Sequence, residues 1–287
     1  MPPETPAGKN ERGSRFRAEV EPTVAHATGE TSPTMHDPRT QARFDVDARA
    51  ALEAYFAASP GSATEKLENF AKYVPRQNLA RFLARYEIFR LIRDVQGSIV
   101  ECGVLFGGGL MTWAKLSTIL EPYNFQRRIV GFDSFTGFPA IDAADLAGLP
   151  DRKSGHLKPG GFSAESAYED ILEAVRIYDI SRYLNHFPKV DLVKGDFEQT
   201  AQRYLDNHPH LVVSCLYLDF DIYRPTKVAL DLFLPRVPKG GVVAFDELNE
   251  EAFPGETIAV LERMNLNTMR VRRFDFEPRI SFMVMGE

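Results

Sequence analysis

The run Leu216, Tyr217, Leu218, Asp219, Phe220, Asp221 sets two carboxylates directly behind a stretch of apolar residues. An extended chain points residues i and i+2 to one face. Asp219 and Asp221 would then face the same way and repel, unless the strand ends there in water or a cation or proton is shared between them. Asp246 and Glu247 follow a second apolar run, 241–245, and neither motif contains a lysine or arginine. Three or four carboxylates on neighbouring strand tips suit a hard cation such as Mg²⁺, which takes oxygen ligands. Plain solvent exposure is the alternative.

Other chemistry-bearing residues stand at comparable positions. Glu101, Gly103, Gly107, Gly108 and Gly109 lie around the junction of a predicted strand at 98–102 and a predicted helix at 110–120. Glycines there permit a tight turn and close approach of a ligand to the free N–H groups of a helix start. The spacing is not the G-x-G-x-x-G of dinucleotide sites, and the segment also reads as a mere turn. Asp133 follows the predicted strand 128–132, where a carboxylate can accept both hydroxyls of a ribose. Asp196 follows the strand 190–194 and either accepts from an adenine amino group or caps the next helix. The segment 136–162 is long for a connection, which points to a lid or substrate loop. Lys153, His156 and Lys158 are its polar candidates, each also readable as a solvated loop residue.

The elements that must hold these groups alternate along the chain. Strands are predicted at 98–102, 128–132, 190–194, 211–218 and 241–245, and helices at 110–120, 164–178, 198–205, 226–234 and 256–264. Two more strands, in TMRVRRFDF and RISFMVMG, are split by Glu277 and Pro278. Alternation of this kind predicts an α/β fold with a mostly parallel sheet covered on both faces. The last pair resembles a hairpin, so one strand should run antiparallel. Ligands of such sheets bind at the carboxyl ends of the strands. Ahead of the sheet, 41–96 reads as helical. In RQNLARFLARYEIFRLIRDV the apolar residues Leu79, Phe82, Leu83, Tyr86 and Phe89 recur at three and four, with arginines on the other face. This region is expected to pack beside or over the site. Residues 1–40, rich in Pro, Thr, Glu and Gly with scarcely any large apolar residues, are expected to be disordered.

The chain has 287 residues, 44% hydrophobic and 26% charged, an ordinary globular balance. Its net charge of -6 weighs against nucleic acid as the partner. Cys102 and Cys215, the two cysteines, fall in predicted buried strands, so no disulfide framework is indicated and a reducing cytosol is the simplest reading. No apolar run approaches the roughly 20 residues that span a bilayer, and the N-terminus lacks the apolar stretch of a signal peptide. A cytoplasmic location without a membrane partner is expected.

The words VECGVLFGGG, GFDSFTGFP, YLDFDIYRPT and GGVVAFDE occur in this order, and from about residue 66 to the end the chain resembles the macrocin and mycinamicin O-methyltransferase family. The resemblance implies a Rossmann-like class I methyltransferase fold for residues 97–287, with seven strands, one of them antiparallel, behind N-terminal helices. It implies S-adenosylmethionine and Mg²⁺ as cofactors and a hydroxyl of a sugar-containing metabolite as acceptor; a homo-oligomer is compatible with it. It assigns Glu101, Gly103, Gly107, Gly108, Asp133 and Ser134 to S-adenosylmethionine, with Asp196 beside them. It assigns Asp219, Asp246 and Glu247 to the metal, and Asp221 to the base; the loop residue His156, which the resemblance does not reach, is the next candidate for the base. The chain departs from the family at Phe220, where D-G-D is common, and at Glu247, where Asp-Asp is common. Glu still ligates Mg²⁺, whereas Phe220 is expected to alter the shape beside the substrate. Chelation by neighbouring hydroxyls predicts a vicinal diol acceptor, on a sugar or on a catechol-type ring. From other classes, a carboxylate-metal hydrolase and a catalytically silent binding protein remain as rival readings.

Overall fold

The computed structural model describes residues 43–287, with side chains from residue 48 onward. The expectation of disorder over 1–40 lies outside the described residues. Seven strands form one sheet: β1 (Ser98–Cys102), β2 (Ile129–Asp133), β3 (Val190–Lys194), β4 (Val213–Leu218), β5 (Val242–Phe245), β6 (Arg272–Arg273) and β7 (Ser281–Val284). Their order is β3-β2-β1-β4-β5-β7-β6. Strands β1 to β5 pair in parallel, and β7 alone runs against its neighbours β5 and β6. The order reverses between β1 and β4, so a crevice for a ligand opens at their carboxyl ends. This is the mostly parallel α/β sheet that the alternating pattern predicts, in the seven-stranded class I form that the resemblance implies.

Three helices precede the sheet, α1 (Arg43–Ala58), α2 (Ala63–Glu68) and α3 (Arg76–Ile92). Five more connect the strands: α4 (Gly108–Leu120), α5 (Ala167–Ser181), α6 (Phe197–Asn207), α7 (Tyr223–Phe233) and α8 (Pro254–Arg263). Because both faces of the sheet are covered, β1 and β4 are buried along their whole length, which explains their continuous apolar character. Alternate residues feed two cores. Ile99 and Tyr217 join Ile88, Phe89, Trp113 and Ile171 on one face. Val100, Phe132, Leu216 and Phe245 join Phe197, Tyr204, Phe233 and Val260 on the other.

Three sequence expectations change. The strand in TMRVRRFDF shrinks to two residues, since β6 pairs with β7 only through Arg272 and Arg273. In α3 one arginine of the polar face is turned inward: Leu83 is 45% exposed, whereas Arg85 is 5% exposed. Apolar periodicity cannot see an ion pair, and Arg85 is buried because Glu101 meets it. The segment 136–162 is docked rather than free. Phe138 and Phe162 pack with Ile222, Ala252 and Phe253 in a small third core. The buried Asp145 accepts from the backbone N–H of Tyr223 (2.7 Å) and of Asp142 (2.8 Å), tying the segment to the start of α7. Among the described residues no helix is long and apolar enough to cross a membrane.

Candidate active site

Strand β4 ends at Leu218 and the chain turns at once. Asp219 N–H still donates to the Cys102 carbonyl (2.8 Å), but Asp221 lies at φ 62°, off the strand and in the left-handed region that Asp tolerates better than most residues. The two acids therefore do not share a face through strand alternation. Phe220, expected beside the substrate, instead packs on Phe197 with ring centres 4.6 Å apart, on the core side of the sheet. The tip of β4 comes hard against β1 at Gly103, whose φ is 92°. A Cβ there would stand 1.9 Å from the Asp219 carbonyl oxygen, so only glycine lets the two turns pass.

The glycine-rich turn and the tip of β2 form one unit. Asp133 Oδ2 accepts from Val104 and Leu105 N–H (2.8 Å each), and Oδ1 accepts from Phe135 N–H (2.6 Å). Leu105 (φ 50°) and Phe135 (φ 61°) are held in left-handed conformations by these bonds. Gly107 leads into α4 without a side-chain cap, and around Gly108 there is open space. Ser134 Oγ donates to the Gly137 carbonyl (2.8 Å), closing the next turn. Asp196 is exposed and caps α6, accepting from Glu198 N–H (3.1 Å), which is the helix-cap alternative of the two read from its position. His156 stacks on Phe162 with ring centres 4.3 Å apart, inside the docked segment.

Four residues of this carboxylate cluster escaped sequence reasoning: Arg81, Arg85, Tyr217 and Glu256. Arg81 Nη2 lies 2.5 Å from Asp246 Oδ1 and 3.6 Å from Asp219 Oδ2. Arg85 Nη2 lies 3.1 Å from Glu101 Oε1 and 3.9 Å from Asp219 Oδ2, and its guanidinium carbon sits 4.5 Å from the centre of the Tyr217 ring. The Tyr217 hydroxyl donates to Asp246 Oδ1 (2.8 Å). Glu256, in the first turn of α8, is fully buried; its Oε1 accepts from Glu247 N–H (2.9 Å), while Oε2 has no partner. The available signal was the i, i+4 pair Arg81 and Arg85 beside the buried positions Ala84 and Ile88. The absence of a cation within the carboxylate motifs was real, but α3 supplies two from elsewhere in the chain.

Electrostatics separates the acids. Burial pushes Asp219 up, the charge of Asp246 adds to this, and Arg81 and Arg85 offset part of it. Burial likewise raises Asp221 and Glu247, helped in each case by the neighbouring carboxylates. Burial alone would raise Asp246 too, but the charge and hydrogen bond of Arg81, with Arg85 and the Tyr217 hydroxyl, hold it below the usual carboxylate range. Glu101 is pushed up to about 7 by burial against the opposing pull of Arg85. The group thus holds more carboxyl groups than its two arginines neutralise, and the surplus tends to keep its protons.

A profile of the family Macrocin-O-methyltransferase (TylF) matches residues 74–266. This chain belongs to the macrocin O-methyltransferase family. Two curated relatives in that company are 30% identical to it. The 8-demethyl-8-(2,3-dimethoxy-alpha-L-rhamnosyl)-tetracenomycin-C 4'-O-methyltransferase of Streptomyces olivaceus aligns over 158 residues, 55% of each chain. The demethyldecarbamoylnovobiocin O-methyltransferase of Streptomyces niveus aligns over 155 residues, 54% of this chain and 53% of its own. The chain spans about half the length of the curated relatives it matches. The crystal structure of CalS11, a calicheamicin methyltransferase, superposes with a TM-score of 0.81 at 32% identity, covering 90% of this chain and 100% of that one.

In this macrocin O-methyltransferase family chain the donor set has the chemistry of a Mg²⁺ site, all hard oxygen, with more carboxyl groups than arginines and an unpartnered Glu256 oxygen. As the side chains stand, however, no three potential ligands among the described residues converge on one point. Arg81 bridges two of them. For S-adenosylmethionine the fit rests on the uncapped start of α4, the open space at Gly108 and the buried, unpartnered Glu101 Oε2, an acceptor without a donor. A groove of about 590 Å³ between Leu91, Val95, Val212 and Lys239 lies at the opposite, amino end of the strands. It is therefore on the wrong side for these groups.

Proposed function

We propose that this protein is a Mg²⁺-assisted O-methyltransferase that moves a methyl group from S-adenosylmethionine to a hydroxyl of a sugar or glycosylated natural product. One observation carries the reading: the glycine-rich turn anchored by Asp133 and the carboxylates of β4 and β5 meet at the switch point of the sheet, on either side of Gly103. Methyl transfer is an in-line displacement, so the protein must chiefly align donor and acceptor and take up the hydroxyl proton. When bound, S-adenosylmethionine would supply the electrophilic methyl group and Mg²⁺ would acidify the neighbouring hydroxyl.

The residues divide this work. Glu101 and the turn through Gly103, Gly107 and Gly108 receive the donor, with Asp133 and Ser134 holding the shape of that turn and Asp196 at its outer edge. Asp219, Asp246 and Glu247 would hold the metal. Asp221, next to them but off the strand, takes the proton. His156 and the docked segment 136–162 cover the acceptor side. The Streptomyces olivaceus relative has a rhamnosyl group in its substrate's name, which makes deoxyhexose acceptors with vicinal hydroxyls the first to assay.

The deciding experiment is calorimetric titration with S-adenosylhomocysteine, with and without Mg²⁺, followed by methyl-transfer assays on deoxysugar acceptors and on a flat catechol. Absence of S-adenosylhomocysteine binding would refute the methyltransferase reading. Full turnover in rigorously chelated buffer would remove the metal from it.

A further inference from the structure

The carboxylates at the tips of β4 and β5 already have a cation, and it comes from a helix outside the sheet. Arg81 Nη2 contacts Asp246 Oδ1 at 2.5 Å and lies 3.6 Å from Asp219 Oδ2, so it bridges the two aspartates that sit on neighbouring strand tips. Asp246 Oδ1 also accepts from Tyr217 at 2.8 Å, so that oxygen has two donors. The second arginine differs in kind: Arg85 is only 7% exposed, is paired to Glu101 and lies over Tyr217. Arg81 keeps 28% exposure and therefore has a path to water.

We propose that Arg81 is a built-in counter-cation that holds Asp219 and Asp246 in the metal-free protein and must withdraw when a divalent cation binds them. The inference rests on the metal reading above. A guanidinium and a divalent ion on the same two carboxylates would repel strongly at this separation, because neighbouring charges inside a protein are poorly screened. Withdrawal is mechanically open. The buried positions of α3 are Ala84, Arg85, Ile88, Phe89 and Ile92, all in its second half, whereas Asn78 is exposed and Leu79, Ala80 and Phe82 are half-buried. The first half of α3 can shift while the second stays anchored in the core. Metal occupancy would thus be coupled to the position of the helical segment ahead of the sheet. Arg85 would remain to balance Glu101.

The test is calorimetric titration of Mg²⁺, repeated with Mn²⁺, into the full chain and its Arg81→Gln and Arg81→Lys variants. Arg81→Gln should bind the ion about tenfold more tightly, the scale of one close charge pair, and Arg81→Lys should stay near the parent protein. In parallel, amide hydrogen exchange of the unmodified protein should quicken over 76–82 when Mg²⁺ is added and stay unchanged over 88–92. Equal or weaker ion binding by Arg81→Gln, with the parent protein binding normally, overturns the proposal and leaves the metal reading standing. If neither protein binds Mg²⁺ or Mn²⁺, both fall together. Should Arg81→Gln fail to fold, the exchange experiment on the unmodified chain decides, and unchanged exchange over 76–82 overturns the proposal.

Discussion

Replacing Asp133 with alanine tests whether this residue is a ligand contact or an anchor. Its two oxygens accept three backbone N–H bonds, from Val104, Leu105 and Phe135. The site is half-buried, so water can refill part of the gap, and each lost bond costs about 1 kcal/mol net. The three together come to about 3 kcal/mol. Two of the donors, Leu105 and Phe135, occupy left-handed conformations that cost an L-residue about 1–2 kcal/mol each, and this strain relaxes once the anchor is gone. The net loss is then at most about 1 kcal/mol, or roughly 2–4 °C in Tm for a chain of this size. The larger effect falls on binding, because the relaxed turn no longer presents its backbone to the donor. Affinity for S-adenosylhomocysteine should drop at least about tenfold, equivalent to about 1.4 kcal/mol. Differential scanning fluorimetry and calorimetry measure the two quantities. The Asp133→Asn variant separates the roles: retained Tm with lost affinity means direct contact with the donor, and retention of both means anchoring. Unchanged Tm and unchanged affinity in Asp133→Ala would refute the account altogether.

Three further outcomes are expected. Asp221→Asn preserves a side chain that tolerates φ 62° and should keep S-adenosylhomocysteine affinity while lowering kcat by about 10²-fold, the usual scale for a positioned base; parent-level turnover would move the base elsewhere, with His156 next. Glu101 is pushed up to about 7 from 4.5, so the folded protein retains a proton that the unfolded chain releases. Its stabilising contribution is full below about 4.5 and lost as pH rises through about 7, and urea denaturation of Glu101→Gln should show a flatter decline between pH 5 and 7.5 than the parent. Equal slopes would place the proton on another group. Arg127, 3% exposed, donates to Glu121 Oε1 (2.8 Å), to the Gly97 carbonyl (2.9 Å) and to the carbonyls of Ile92, Arg93 and Val95 at the amino end of the strands. Arg127→Ala strands these acceptors and should cost about 3–5 kcal/mol, lowering Tm without changing S-adenosylhomocysteine affinity at 10 °C; weakened affinity at that temperature would contradict the separation of the two ends.

The order of strands and helices, the antiparallel β7 and the acids at the strand tips were legible in the sequence, because each depends on local pattern. Continuous apolar runs mark strands buried on both faces, a glycine-rich turn marks the start of α4, and Asp219, Asp246 and Asp133 stand where those runs stop. What was illegible is long-range. Asp221 leaves the strand through one left-handed dihedral, which no period reveals, and Phe220 follows the turn into the core. Arg81 and Arg85 looked like a solvated helix face, since their partners Asp246 and Glu101 lie 165 and 16 residues away along the chain. Whether a charged side chain faces water or a buried carboxylate is settled only when helix and sheet are packed together, because the ion pair's energy depends on separation in space and on the water excluded around it. The sequence by itself therefore determined which acids stand at the strand tips, and the tertiary structure decided which cations join them and which of these groups neutralise one another.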